Sequence, residues 1–287
     1  MKRNKGYLQL SFDNKYKELV DRRIINPLKR NKISFYIDSL KLFFKEESKG
    51  YIELIGFKIA KLLNIDSANY DLLEFITEDA SYKGVVSEDF REDGYQLITI
   101  DKIIDDYLLD SNEQVMFNEM NLELLFKAIS SRYQNYDNSD IIISKIMDKL
   151  KRYFLFDILI GNIDNGKYNY ELMESNYDAK ITPYFDYEQI FKFSSTRFTA
   201  SDSGNYDVYG NLLEFLSKET DYIPIFMEMY RKLTPEKIET IINEIEKEIG
   251  SKISDNDKSI IFLAYSRHYY YLGNILDKVM GSIHTKK

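Results

Sequence analysis

The chain has 287 residues, 44% of them hydrophobic and 30% charged, with a formal net charge of −8, no cysteine and two histidines. That length supports a sizeable core in one large or two smaller domains, and the missing cysteine excludes disulfides, thiol nucleophiles and Cys-ligated zinc or iron–sulfur sites. His268 and His284 stand far along the chain from the other conspicuous polar residues, which nearly excludes a His-based metal site or a Ser-His-Asp triad, and the acidic balance offers no basic surface for direct nucleic-acid binding.

Taken in order, Leu8 to Phe12 reads as a strand and Tyr16 to Leu28 as a short helix ended by its own Pro27. Two alternating runs, ISFYI and LKLFFK, flank Asp38-Ser39 and predict a hairpin. Period two then places Leu40, Leu42 and Phe44 on one side and Lys41, Phe43 and Lys45 on the other. From Gly50 to Asn64 the spacing becomes helical, with a stripe of Ile52, Ile55, Ile59, Leu62 and Leu63, and Glu53 near its start. Tyr70 to Ile76 and Lys83 to Phe90 read as two more strands. Beyond Gly94 the chain turns helical, over Ile98 to Leu109, Asn121 to Arg132 and Asp140 to Ile160, the last stopped by Gly161. Short strands over Tyr170 to Met173 and Ala179 to Phe185 follow, then a polar tract over 194–210. Helices are expected over Asn211 to Lys218, Pro235 to Ile249 with Thr234 as N-cap, and Asn256 to Met280.

These elements predict an α+β molecule of two lobes. Residues 1–94 would form a small mixed β-sheet lobe, antiparallel strands plus one helix, and residues 95–287 a mainly helical lobe. No apolar run has the length of a signal peptide or a membrane span, so a cytoplasmic chain without a membrane partner is expected.

Chemistry-bearing residues concentrate between Lys151 and Phe193. Asp164 and Asn169 stand in the order Asp, four residues, Asn. That is the spacing of a kinase catalytic loop, where Asp accepts the substrate's proton and Asn holds Mg²⁺. Asp186 follows the apolar run Ile181 to Phe185, where a strand would present a second metal ligand. Phosphoryl transfer needs positioning and charge neutralisation more than covalent work, and Mg²⁺ uses one or two carboxylates with phosphate oxygens and waters. Asp164 as base, with Asn169 and Asp186 as ligands, meets that minimum. A strand lysine steadied by a helix glutamate would hold the α/β-phosphates; Lys45 and Glu53 fit in kind and order. Each has a plainer reading alone. I-D-N-G is good turn sequence, Lys45 is a strand-end lysine with Lys41 as its competitor, Glu53 suits a helix N-terminus, and His268 packs among tyrosines.

The run FDILIGNIDNGKYN, followed by ITPYFD, resembles the core motif of HipA-like kinases, especially their compact CtkA-like relatives. Those carry L-I/L-G-N-x-D-R-H-x-x-N and then A-P-x-F/Y-D. Leu159-Ile160-Gly161-Asn162 matches the lead-in, Asp164 the catalytic base, Asn169 the metal-binding Asn, and Pro183-Tyr184-Phe185-Asp186 the metal-binding Asp segment. LKLFFK is similar to the strand that carries the ATP-binding lysine, here Lys45, and GYIELIGFKIAKLLNI to the helix that carries its glutamate, here Glu53. KGVVSEDF resembles the strand leading to the interlobe hinge, which puts Glu88, Asp89 and Phe90 near the adenine. The likeness covers roughly residues 33–190 and implies an ATP- and Mg²⁺-dependent serine/threonine kinase, toxin-like in kind, acting on a protein or on itself. The family's Arg-His is Asn165-Gly166 here, with Lys167 as the nearest substitute charge, and the turn at Asp38-Ser39 has no glycine. A pseudokinase or nucleotide-binding regulator therefore stays open, as do phosphotransfer to a small molecule and a helical interaction protein with accidental matches.

Overall fold

A computed structural model describes residues 2–4, 7–11, 32–37, 40–76, 81–111, 122–162, 170–191 and 208–285. The helix expected over Tyr16 to Leu28, the turn at Asp38-Ser39 and positions 194–207 of the polar tract lie outside them. In chain order the strands are β1 (Lys2–Asn4), β2 (Tyr7–Ser11), β3 (Lys32–Ile37), β4 (Leu40–Glu46), β5 (Tyr70–Ile76), β6 (Ser81–Glu88), β7 (Gln96–Thr99), β8 (Glu171–Glu174) and β9 (Ala179–Ile181). The helices are α1 (Glu47–Leu62), α2 (Ile100–Ser111), α3 (Leu122–Tyr133), α4 (Ser139–Ile160), α5 (Val208–Lys218), α6 (Ile223–Lys232), α7 (Pro235–Ile249) and α8 (Asp255–Thr285), with a 3₁₀ turn at Thr220–Tyr222. The architecture is α+β, as expected.

Two compact units divide these elements. The first comprises Met1–Phe90, Phe185–Glu188 and Glu236–Ile260; the second comprises Arg91–Tyr184, Gln189–Pro235 and Ile261–Lys287.

The first unit is built on a six-stranded sheet in the order β1-β2-β5-β6-β4-β3. Alternation in LKLFFK produces the expected hairpin: Ile37 pairs with Leu40 and Lys32 with Lys45, while Leu42 and Phe44 are buried and Phe43 is exposed. One pairing departs from an antiparallel sheet, because β2 runs parallel to β5 with Leu8 opposite Leu73. No tight turn joins those two strands, so nothing local dictates their relative direction. Helix α1 packs on β4, β5 and β6 through Leu54, Ile55, Ile59 and Ala60. Helix α7 buries Ile238, Ile241, Ile242, Ile245 and Ile249, a stripe at helical spacing. Lys58 of α1 reaches Glu248 of α7 at 2.7 Å.

The second unit holds a three-stranded antiparallel sheet, β7-β8-β9, and the long buried helix α4. Gly161 ends α4 in the left-handed conformation (φ 60°), its N–H donating back to the Asp157 and Ile158 carbonyls, as the sequence predicts. Three elements differ from expectation. A strand, β7, occupies the start of the helix expected from Ile98, and α6 was not anticipated. The last strand stops at Ile181 instead of reaching Phe185; Pro183, which has no N–H to give a ladder, follows two residues later. Among the described residues no helix is long and apolar enough to cross a membrane.

Candidate functional site

In the first unit, strand pairing sets Lys45 opposite Val85. One step on, Glu46 faces Gly84, where a Cβ would stand 2.1 Å from the Lys45 carbonyl oxygen. Glycine is thus required for the strand that carries Lys45 to lie this close to β6. Two turns into α1, Glu53 is fully buried; one of its oxygens accepts from the Lys45 ammonium and the other from the Tyr187 backbone N–H at 3.0 Å. The same ammonium reaches Asp186 Oδ1 at 3.3 Å and Glu188 Oε1 at 2.7 Å. Oxygens of Glu53, Asp186 and Glu188 all lie within 4.8 Å of one another.

Backbone geometry explains how a segment remote in sequence supplies two of these carboxylates. Asp186 has φ 63°, the left-handed region that non-glycine residues seldom occupy. Its N–H donates to the Tyr70 hydroxyl at 3.2 Å. The Tyr187 ring lies against α1 at Gly56, where a Cβ would come within 2.2 Å of the ring, and its hydroxyl is 2.6 Å from that of Ser67. Held at both ends, Tyr187 fixes the direction in which its neighbours Asp186 and Glu188 project.

Burial alone would lower the Lys45 pKa. The charge on Glu53, then that on Asp186, and hydrogen bonds to Glu188 and Glu53 outweigh it and hold the ammonium above its ordinary value. Burial pushes the Glu53 carboxyl up; Lys45 and the Tyr187 N–H pull it back, and an upward shift remains.

Of the residues singled out in the sequence, Lys45, Glu53 and Asp186 come together. Glu88 closes β6 opposite Leu42 and is exposed, Asp89 and Phe90 are half-buried, and the Phe90 ring packs 5.3 Å from that of Phe185. Asp164, Lys167 and Asn169 lie outside the described residues. Sequence reasoning missed Glu188, Tyr70 and Tyr187. For Glu188 the only signal was a second carboxylate two residues beyond Asp186, because the left-handed backbone at Asp186 removes the extended alternation that would place both on one side.

The second unit contributes a buried polar cluster at the end of α4. Asp157 accepts from the hydroxyls of Tyr170 and Tyr184 and, at 3.1 Å, from Asn162 Nδ2. Burial pushes its carboxyl up to about 7 despite those three hydrogen bonds. One residue along, the Ile158 carbonyl accepts from His268 Nε2 at 2.6 Å, and burial depresses His268 to about 4.

Compared by sequence, the chain matches no protein-family model and no curated protein. Compared as a structure, it is similar to the Helicobacter pylori proinflammatory kinase CtkA, with a TM-score of 0.61 at 16% identity over 96% of this chain and 98% of that one. It is also similar to HipA of Shewanella oneidensis MR-1, solved with HipB and its operator DNA. There the TM-score is 0.55 at 17% identity, over 91% of this chain and 72% of that one. The fold is therefore that of HipA- and CtkA-like kinases, as the motifs around Asp164 and Asp186 implied.

Proposed function

We propose that the chain is an ATP- and Mg²⁺-dependent phosphotransferase that phosphorylates serine or threonine of a protein, itself included. Lys45 takes the α/β-phosphates and Glu53 fixes Lys45. Asp186 and Asn169 hold the metal, and Asp164 accepts the proton of the attacking hydroxyl. Glu88, Asp89 and Phe90 border the adenine, and Lys167 lends a positive charge. Residues 1–94 supply the nucleotide-binding lobe and 95–287 the lobe with the catalytic loop.

One observation carries this reading: a strand lysine is paired to a fully buried helix glutamate, with the Asp186 carboxylate 3.3 Å from its ammonium. A strand, the helix that directly follows it and a segment 141 residues beyond Lys45 converge on one cation, an arrangement that a solvated strand-end lysine does not require. The donor also suits the metal, because the half-buried carboxylate of Asp186 is a hard ligand of the kind Mg²⁺ takes. When bound, Mg²⁺ neutralises charge on the phosphates.

ATP with Mg²⁺ is expected to raise the melting temperature, and labelled phosphate is expected to appear on protein. Asp186→Ala should abolish both effects, whereas Asp164→Ala should keep the melting shift and cut transfer by roughly 10²- to 10⁴-fold. Equal ATP affinity and turnover in wild type and Asp186→Ala overturns the assignment. A second reading, a nucleotide-binding pseudokinase, is favoured by Asn165-Gly166 standing where the resembled motif has Arg-His. Binding without transfer in the wild type would select it.

A further inference from the structure

We infer that Glu188 competes with nucleotide phosphate for Lys45, so that this carboxylate lowers affinity for the nucleotide and ties its binding to a divalent cation. The inference rests on the nucleotide reading above. An ammonium has three N–H donors. Glu53, Asp186 and Glu188 each approach that of Lys45, so they can account for all three. A phosphate oxygen can reach Lys45 only if one carboxylate gives way.

Glu53 is the wrong one to leave. Its side chain is 0% exposed and also holds the Tyr187 N–H, so parting it from Lys45 would strand a buried charge. Asp186 is 23% exposed and makes the longer contact, at 3.3 Å. Glu188 makes a closer contact, 2.7 Å, yet is 36% exposed, so water can resolvate it when it swings aside. Three carboxylates against one ammonium also leave a formal charge of −2 around the phosphate position. Bare polyphosphate is repelled there, and a divalent cation arriving with the nucleotide cancels the repulsion.

Isothermal titration of wild type, Glu188→Gln and Glu188→Ala with ATP plus Mg²⁺, ATP plus EDTA, and adenosine tests this. Both variants should bind ATP roughly ten-fold tighter under both conditions, with the larger gain in EDTA, and adenosine affinity should not change. The two substitutions, checked for wild-type melting temperature, separate loss of charge from any effect of the amide. Unchanged ATP affinity, or a gain shared by adenosine, overturns the inference while the nucleotide reading stands. Weaker binding confined to Mg²⁺ also overturns it, by marking Glu188 as a metal ligand. If neither wild type nor variants bind ATP or adenosine, the inference and the nucleotide reading fall together.

Discussion

Gly56 shows how a single residue governs the candidate site without touching the cation. Inside a helix, glycine costs up to about 1 kcal/mol relative to alanine, so an ordinary Gly→Ala change in α1 would stabilise it. Here an added Cβ would stand 2.2 Å from the Tyr187 ring, and Tyr187 donates its backbone N–H to Glu53. Gly56→Ala should therefore destabilise by about 1–3 kcal/mol, the usual cost of overpacking, and weaken Mg²⁺-dependent ATP binding with it. Denaturant melts and ligand titration read both, and a stabilised variant with intact binding contradicts the account. Lys45, Glu53 and Asp186 were legible in the sequence because each sits at a fixed place in a strand, a helix or a motif. Tyr70 and Tyr187 were not, because their roles depend on a left-handed backbone at Asp186 that no local pattern announces.

Among the elements, α4 was the most legible, since its apolar periodicity and Gly161 mark both its face and its end. Strand β7 was not, because its partner β8 lies some seventy residues on and four residues carry little pattern of their own. Helix α6 begins with Ile-Pro, and the proline at its start obscured a buried stripe of Ile223, Phe226 and Met229. The end of α4 also predicts a pH signature. Asp157 is raised to about 7 by burial, so its ionisation costs stability as pH climbs from about 4 to 7. His268 is depressed to about 4, so its neutral form is favoured and stability is lost as pH falls from about 6.5 to 4. The two slopes oppose each other over nearly the same window. Facing this pair are Tyr170, Tyr184 and Asn162 around Asp157, with Tyr265 tilted against His268. Asp157→Asn removes the falling slope, so its melting temperature relative to wild type should rise from pH 4.5 to 7, by several degrees at most. Melting curves across that range check the sign, and a difference that shrinks with pH refutes it.

At the scale of the whole molecule, a boundary near Gly94 divides the chain into two consecutive pieces, whereas the compact units are interleaved. The first unit takes in Phe185–Glu188 and Glu236–Ile260 as well as the first ninety residues. No sequence period reveals such a return, because the isoleucine stripe of α7 shows only that the helix has a buried side, not what it is buried against. The ion pairs from Lys58 to Glu248 at 2.7 Å and Glu244 at 3.9 Å tie that helix to α1. The energetics favour interdependence. Burying one isoleucine contributes about 1.5–3 kcal/mol, and a domain's net stability is only about 5–15 kcal/mol. Removing Ile238, Ile241, Ile242 and Ile245 together, with Tyr187 from beneath α1, thus removes as much as the unit has to spare. A fragment of residues 1–94 should give no cooperative melt and an undispersed amide spectrum, and a full chain truncated after Thr234 should lose the thermal response to Mg²⁺-ATP. A folded 1–94 fragment that binds nucleotide would mean that the later segments decorate the unit instead of completing its core.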